Sequence, residues 1–255
     1  TFAPLDVDAL RCALADLRLG RPLIYLPAVG STNTYAGELA REGAAEGTLV
    51  TTDHQTAGRG RVGRVWKALP QRQLALSLIL RPTFPPHFLV MASALAVAQA
   101  VEAVTAARPD IKWPNDVLVA GRKVCGILIE TSDGVAVLGM GVNVNGALEG
   151  DPELAARATT LAEALGRPVS REALAEAIIR RLDARYTDLL AGGVSARRTL
   201  RLAWRERLVT LGRRATVRQR ETTLEGLAED VDDDGALLLR LDEGRRSTIL
   251  WGDVE

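Results

Sequence analysis

The hydrophobic positions in the first half of the chain change from a period typical of strands to one typical of helices. Residues 48–53 are apolar and β-branched, and residues 74–80 carry a leucine at every second position, so both stretches predict strands. Residues 91–104 are rich in alanine and predict a buried helix.

Two hairpins are predicted next. Their strands are expected at 116–120, 123–131 and 134–144, with turns at Gly121-Arg122 and Ser132-Asp133-Gly134. Strands joined by tight turns pair antiparallel. The fold class is therefore predicted as α+β, with a mixed or antiparallel sheet and helices.

Two helices are predicted after residue 170. Ser170 can cap the first, which runs to about Leu190, and Ser195 opens the second, which runs to about Leu208. Apolar residues recur every fourth position in the first helix and would form its buried stripe: Leu174, Ile178, Leu182, Tyr186 and Leu190.

The pattern changes again after Gly212. Short apolar stretches alternate with turns, which is typical of a small antiparallel barrel of about 45 residues. We therefore predict two domains, residues 1–210 and residues 211–255. The stretches of the second domain are 215–218, 224–228, 236–241 and 248–251.

Charge and cysteine content exclude several classes of protein. The 255 residues include 32 basic and 32 acidic ones, so the formal net charge is zero. This disfavours a globally basic nucleic-acid-binding protein, although a local basic patch is compatible with it. Cys12 and Cys125 are far apart and predict neither a disulfide framework nor a metal site, and two histidines are too few for zinc. Cys125 is predicted to be a small buried residue.

The sequence also predicts a cytoplasmic protein without membrane contact. Its first residues lack the basic and apolar regions of a secretory signal. No apolar run is expected to approach the ~20 residues that span a bilayer.

Residues 55–67 combine three glycines with four cations and no acid. Glycines allow backbone N–H groups to approach an anion, and arginines add fork-shaped donors that match phosphate and carboxylate. We expect this loop to be mobile without a ligand, because its like charges repel. Three interpretations stay open: a small-anion site, a solvated basic loop, and an Arg-Gly patch for nucleic acid.

A second cluster is Lys112-Trp-Pro-Asn-Asp116, followed by Lys123, Gly126 and Glu130. Asp116 is a candidate Mg²⁺ ligand, because Mg²⁺ is commonly shared between a carboxylate and nucleotide phosphates. If 116–130 is a hairpin, Lys112, Asp116 and Lys123 lie close together. The alternative is a charged turn on an exposed hairpin.

Two asparagines alternate with valines in the last predicted strand of the sheet. Val142 and Val144 are expected to face the core, with Asn143 and Asn145 on the other side. Asparagine is rare inside strands, so a ligand-facing role is proposed, and a carboxamide can read the edge of adenine. For Asn145, a turn after the strand is the alternative. Further upstream, Ser31-Thr32-Asn33 by itself predicts only the cap of a helix near 34–43.

Taken together, these motifs resemble the biotin–protein ligase family. The resemblance implies a class II synthetase-like catalytic domain with an SH3-like C-terminal domain. It also implies an AMP-forming enzyme that uses ATP, biotin and Mg²⁺ and attaches biotin to a lysine of a biotin carboxyl carrier protein. The matching motifs occur in the family's order between about residues 25 and 145: Ser31-Thr32-Asn33, Gln55, Gly58-Arg-Gly-Arg-Val-Gly-Arg64, Trp66, Lys112-Trp-Pro-Asn-Asp116, Lys123, Gly126 and Gly141-Val-Asn143.

The resemblance further implies roles for individual residues. Arg61, Lys112 and Lys123 would be catalytic, and Asp116 would hold Mg²⁺. The residues implied to contact ATP or the adenylate are Arg61, Arg64, Lys112, Asn115 and Asn143. Those implied to contact biotin are Ser31, Thr32, Asn33, Gln55, Gly58, Arg59, Gly60, Arg61, Trp66, Lys123 and Gly126.

The sequence departs from the family at both ends. Fewer than 30 residues precede Val29-Gly-Ser-Thr32, so we expect neither a winged-helix domain nor specific DNA binding, and the sequence ends without the late phosphate-contacting arginine of some members. We expect a monomer or homodimer. Two alternative functions stay open: a lipoate or octanoate ligase or transferase of related fold, and a nucleic-acid-binding module that uses the Arg-Gly loop.

Overall fold

A seven-stranded mixed sheet forms the centre of the protein. The structure is a computed structural model that describes residues 3–67, 69–148, 152–219 and 222–254. The strands are β1 (Leu23–Leu26), β2 (Leu49–Thr52), β3 (Gln73–Leu80), β4 (Asp110–Lys112), β5 (Asp116–Val119), β6 (Arg122–Ser132) and β7 (Val135–Asn143). They lie in the order β1-β2-β3-β7-β6-β5-β4. β1 is parallel to β2 and the other neighbours are antiparallel.

Helices cover this sheet. They are α1 (Val7–Ala13), α2 (Thr32–Arg41), α3 (His87–Thr105), α4 (Pro152–Arg157), α5 (Leu161–Leu165), α6 (Arg171–Ala191) and α7 (Gly193–Arg205). The predicted caps are present, because Ser31 Oγ accepts a hydrogen bond from Thr34 N–H and Ser170 Oγ accepts one from Ala173 N–H. Each cap satisfies a backbone donor that the first helical turn leaves without a partner.

The hydrophobic core lies between the sheet and α3, which packs against α6 and α7. α3 has 19 residues and is long and apolar enough to cross a membrane by length and composition alone. The expectation that no apolar run approaches this length is therefore wrong. Most of the helix is buried inside the fold, because its own side chains are apolar on nearly every face. α3 is the core helix of this domain.

A second sheet follows α7. Its strands are β8 (Arg214–Gln219), β9 (Thr222–Val231), β10 (Leu237–Leu241), β11 (Arg246–Ile249) and β12 (Asp253–Val254), in the order β11-β10-β9-β8-β12, and all pairs are antiparallel. Trp113 joins it to the first sheet, because its buried indole N–H donates to the carbonyl of Gly235 at 3.0 Å. The two sheets are thus held in contact by a buried hydrogen bond.

The predicted fold class, α+β with a mixed sheet and a small C-terminal β domain, is confirmed. The turn between β5 and β6 lies one residue earlier than predicted, at Ala120 and Gly121. Their φ angles of 50° and 75° are in the left-handed region. The elements that were not predicted are short, and their few residues show no measurable period: α1, β1, β4, α4, α5 and β12.

Candidate active site

A cavity of about 760 Å³ is lined by residues of both sheets. The face of β3, β6 and β7 forms one wall, and residues 59–67 of the Gly-Arg loop cross it. Residues 112–116 and 154–158 contribute further walls, and Gly252–Val254 reach the cavity from the C-terminal sheet. A chamber of this size accommodates a small organic ligand.

One end of the cavity carries uncharged hydrogen-bonding groups. The cap at Ser31 starts α2 so that Thr32 and Asn33 follow directly on its first turn. Gln55 Oε1 accepts hydrogen bonds from Thr32 N–H (2.9 Å) and from the Thr32 hydroxyl (3.1 Å). Ser77 Oγ lies 2.8 Å from Thr32 Oγ1 and 2.6 Å from Asn33 Oδ1. Because these groups hold one another in place, they form a preformed polar end for a neutral ligand group.

Asn33 is fixed from two more directions. Its Nδ2 donates to Glu130 Oε2 at 3.1 Å. Gly139 lies directly against it, since a Cβ at this position would be 2.2 Å from Asn33 Oδ1. Only glycine allows this close approach. The polar end therefore depends on Glu130, Ser77 and Gly139, none of which was among the predicted ligand-contacting residues.

The cations of the loop have partners outside the loop. Arg59 Nη2 lies 2.8 Å from Glu130 Oε1 on β6, and Arg64 Nη2 lies 2.6 Å from Asp253 Oδ2 on β12. The sequence-based expectation that these cations lack acidic partners holds only within residues 55–67. Both ion pairs are partly exposed, so each contributes about 0–1 kcal/mol.

Arg61 lies deeper than the other two arginines. Its Nη1 donates to Asn115 Oδ1 at 2.7 Å, and its Nη2 donates to the carbonyl of Gly252 at 3.3 Å. Burial lowers the pKa of Arg61, whereas the carboxylates of Asp253 and Asp116 raise it. A guanidinium stays charged despite such a shift. Since the partners of Arg61 are neutral oxygens, its charge is still available to an anion.

Trp66 forms the floor of the cavity. Its ring packs on two glycines of neighbouring strands, because a Cβ at Gly141 would be 2.7 Å from Trp66 Cε2 and one at Gly126 would be 3.1 Å from Trp66 Cζ3. Lys123 Nζ lies 5.6 Å from the ring centroid and 2.6 Å from Asp116 Oδ1. The indole and the carboxylate together fix the position of this ammonium group.

Asn143 faces the cavity with a buried oxygen that has no hydrogen-bond partner within the described residues. The residue is only 4% exposed, so the missing partner is a polar group that a bound ligand can supply. Asn145 does not share this position. Both polar atoms of its side chain bond to the backbone of Val169, and the ligand-facing role considered for it is wrong. Val142 and Val144 are buried as predicted.

Cys125 is fully buried, as predicted, and burial raises the pKa of its thiol. It lies outside the cavity wall, so it has no contact with a ligand.

Besides Lys67 at the end of the loop, two further cations reach the cavity, Lys112 from β4 and Arg157 from α4. Neither has an ion-pair partner among the described residues. The carboxylates that line the cavity are Asp116 and Asp253. Among the described residues, no group of three His, Cys, Asp or Glu side chains is placed to hold a metal ion by itself. This donor set fits Mg²⁺ only as an ion shared with phosphates, because Mg²⁺ keeps waters and takes one or two carboxylates.

The structure brings almost all of the predicted site residues together. Lys112, Asp116 and Lys123 line one cavity, as the hairpin argument predicted. Gly58 lies behind the wall instead, where its carbonyl accepts a hydrogen bond from Trp66 N–H at 2.9 Å. The predicted residues on the wall are Ser31, Thr32, Asn33, Gln55, Arg59, Gly60, Arg61, Arg64, Trp66, Lys112, Asn115, Asp116, Lys123, Gly126 and Asn143.

Three features define the class of protein. They are the mixed central sheet, the cavity with its polar end and cationic loop, and the second β sheet that follows α7. The model of the Biotin/lipoate A/B protein ligase family matches residues 25–146, and that of the Biotin protein ligase C terminal domain matches residues 210–255. Both matched ranges contribute residues to the cavity.

Bacterial relatives of the chain narrow this class of protein. The chain is 38% identical to the bifunctional ligase/repressor BirA of Bacillus spizizenii, over 98% of this chain and 79% of that protein. It is 37% identical to the biotin–[acetyl-CoA-carboxylase] ligase of Mycobacterium tuberculosis, over 98% and 95%. A structure of the biotin protein ligase from Aquifex aeolicus in complex with biotin and ATP aligns with a TM-score of 0.81 and 29% identity, covering 92% of this chain and 98% of that one. The chain belongs to the biotin protein ligase family.

Proposed function

We propose that this protein activates biotin with ATP to form biotinyl-5′-AMP and pyrophosphate, and then transfers biotin to a lysine of a carrier protein. One observation carries the proposal. A single cavity has a preformed neutral polar end at Thr32, Asn33 and Gln55 and a cationic end at Arg61 and Lys123. Biotin has the matching features, a neutral ureido ring at one end and a carboxylate at the other.

The polar end is proposed to hold the biotin ring. Ser31, Thr32, Asn33 and Gln55 offer donors and acceptors whose positions are fixed by their own hydrogen bonds. The valeryl chain then lies against the Trp66 ring, which packs on Gly126 and Gly141 because neither glycine has a side chain. This places the carboxylate beside Lys123. Gly58, Arg59 and Gly60 complete the loop that covers the ligand.

In the first step, a carboxylate oxygen of biotin attacks the α-phosphorus of ATP, and the bond to the β-phosphate oxygen breaks to release pyrophosphate. The biotin carboxylate and the α-phosphate of ATP are both anions, and fixed cations reduce the repulsion between them. Arg61 and Lys123 are proposed to stabilise the charge on the α-phosphoryl oxygens. Lys112 and Arg64 would face the rest of the triphosphate, and Asn143 would hydrogen-bond the adenylate with its unpartnered oxygen.

Mg²⁺ is proposed to be bound by Asp116 together with the phosphates of ATP. When bound, Mg²⁺ supplies further positive charge to the triphosphate. Asn115 would act indirectly, because its side chain is already engaged by Arg61 Nη1 and by the carbonyl of Ile127. We therefore assign Asn115 the role of positioning Arg61 against the nucleotide.

In the second step, the ε-amine of the acceptor lysine attacks the acyl carbon of the mixed anhydride, AMP leaves, and the amine loses a proton. The anhydride must be shielded from water until the lysine arrives, which the loop over the cavity can do. The partner is a biotin-carrying protein, and the biotin carboxyl carrier domain of a carboxylase fits this role. Since ATP is a substrate, we propose a cytoplasmic location.

Residues 1–210 are proposed to form the catalytic domain and residues 211–255 a C-terminal domain that completes the cavity. Lipoate was the main alternative substrate. Its dithiolane ring has no hydrogen-bonding groups, and a hydrogen-bonding pocket end left without partners would oppose its binding. Together with the relatives named above, the polar end supports biotin over lipoate.

Pyrophosphate exchange tests the function directly. The protein is incubated with ATP, Mg²⁺ and radiolabelled pyrophosphate, with biotin, with lipoate or with neither. Label is expected to enter ATP only in the mixture that contains biotin. Exchange that depends on lipoate and not on biotin would refute the proposal, as would the absence of exchange in all three mixtures.

A further inference from the structure

The Gly-Arg loop leaves and rejoins the sheet at a narrow buried point, here called the loop neck and made of Asp53, Gln71 and Gln73. The carbonyl of Asp53 accepts a hydrogen bond from Gln71 N–H at 2.8 Å. Arg171 of α6 closes the neck, because its Nη1 lies 2.7 Å from Asp53 Oδ1 and 3.3 Å from the carbonyl of Gln73. The side chains of Arg171 and Asp53 are only 5% and 6% exposed. The loop therefore starts from a rigid base.

The side chain of Gln73 spans from this neck to the end of the loop. Its Oε1 accepts a hydrogen bond from the indole N–H of Trp66 at 3.0 Å, and its Nε2 donates to the carbonyl of Lys67 at 3.0 Å. Gln73 is 5% exposed and lies behind the cavity wall. Both ends of its carboxamide are thus used by two consecutive loop residues.

The orientation of Trp66 matters for what lies above it. Its ring fills the space over Gly126 and Gly141, and it contacts the ammonium group of Lys123. An indole that rotated away from Gln73 would change both the floor of the cavity and the support of Lys123. The indole N–H is the only polar atom of this ring, so its single hydrogen bond selects one ring orientation.

We infer that Gln73 is a positioning residue for biotin activation, which acts by orienting Trp66 and, through Trp66, Lys123. This inference rests on the proposed function. It assigns to a residue without ligand contact the task of holding the end of the loop in its working geometry. Asp53 and Arg171 provide the rigid base from which Gln73 acts.

The variant Gln73→Met tests this, because methionine keeps the volume and removes both hydrogen bonds. The matched control is Gln99→Met on α3, which removes the contact of that glutamine with Arg185 away from the cavity. In the ligand-free protein, amide exchange in residues 58–67 is expected to be about tenfold faster in Gln73→Met, as the loss of two hydrogen bonds implies, and unchanged in Gln99→Met. Unchanged exchange in Gln73→Met would overturn the inference.

Kinetics separate positioning from a purely structural role. In biotin-dependent pyrophosphate exchange, Gln73→Met is expected to raise the KM for biotin about fivefold at a temperature where a thermal melt shows the variant to be folded. Combined with Trp66→Phe, which keeps a ring and removes its N–H, Gln73→Met should add no more than about twofold. Losses that multiply, or an unchanged KM despite faster loop exchange, would contradict positioning through Trp66.

The two readouts also separate this inference from the proposed function. Wild-type protein without biotin-dependent exchange would refute the function. The amide-exchange measurement needs no biotin and reports on Gln73 alone.

Discussion

Lys123 Nζ lies 2.6 Å from Asp116 Oδ1, so the cation that faces the cavity has a carboxylate partner before any nucleotide binds. The two residues are held there by the β5–β6 hairpin, whose register pairs Asp116 with Gly126. An incoming phosphate must therefore share Lys123 with Asp116, and a metal ion at Asp116 would release it. The pair couples the two sites that ATP has to occupy.

Lys123→Ala is expected to lower the rate of biotin-dependent pyrophosphate exchange at least about tenfold, because a charged donor to the developing anion is lost. Lys123→Arg should retain more activity and still fall below the wild type, since a guanidinium differs from an ammonium in shape and reach. Arg122→Ala is the control, because Arg122 pairs with Glu163 and lies outside the cavity wall. Full activity of Lys123→Ala would show that Lys123 does not act on the phosphates.

Arg61→Ala is expected to reduce adenylation by a factor of about ten or more, on the order of 2 kcal/mol, for the loss of a charged donor. The fold should persist, because the two bonds that Arg61 makes to neutral oxygens can be replaced by water at the cavity. Pyrophosphate exchange and a thermal melt measure the two effects. Arg245→Ala removes an exposed pair with Glu243 and serves as control. Near wild-type exchange would remove Arg61 from the mechanism.

Gly141→Ala is expected to impair biotin binding, because the new methyl group would lie 2.7 Å from Trp66 Cε2 and displace the indole. The KM for biotin should rise while the melting temperature changes little, since the displaced ring borders a cavity. Gly37→Ala in α2 is the matched control, as an added Cβ there meets nothing within 4 Å. Equal KM values in the two variants would show that the indole moves without consequence.

The loop at residues 57–66 is expected to exchange its amide hydrogens faster in the free protein than with biotin, and slowest with biotinyl-5′-AMP. The ion pairs of Arg59 and Arg64 hold it only weakly, whereas a phosphate adds charged hydrogen bonds that offset an ordering cost of about 1–2 kcal/mol per residue. Hydrogen exchange with mass spectrometry in the three states measures this. Equal protection in all three would indicate a preformed loop.

Arg171→Met should lower the free energy of unfolding by about 3–5 kcal/mol, because it leaves the buried carboxylate of Asp53 without its charged partner. Arg214→Met, which removes an exposed pair with Asp242, should leave stability nearly unchanged. Urea unfolding of both variants provides the comparison. A small change in Arg171→Met would show that Tyr25 and Leu5, which also bond Asp53, suffice to hold it.

Long elements and dense motifs could be predicted from the sequence. The apolar period of α6 and the alternation in β3 extend over enough residues to identify their structure. The Gly-Arg loop and the cluster at 112–116 carry glycines, cations and polar side chains that are compatible with an anion site, and both line the cavity.

Contacts between distant segments could not be predicted. Glu130 meets Arg59, and Asp253 meets Arg64, across 71 and 189 positions. The sequence placed Glu130 in the cluster that begins at Lys112 without indicating Arg59 as its partner, because an ion pair depends on the folded path of the chain and not on spacing. Asn143 and Asn145 show the same limit. Their sequence context is alike, yet only the neighbouring Val169 backbone decides that Asn145 is structural.

The position of Gly252, Asp253 and Val254 in the cavity wall has a consequence for synthesis of the protein. These residues leave the ribosome after every other residue of the wall, so a nascent chain can fold its central sheet while Arg61 and Arg64 still lack their C-terminal partners. A translation product that stops before β12 would carry the polar pocket and most of the cations with an incomplete loop anchor. The polar end of the cavity is therefore synthesised before the partners that hold Arg61 and Arg64 over it, because Gly252 and Asp253 follow residues 31–55 in the sequence.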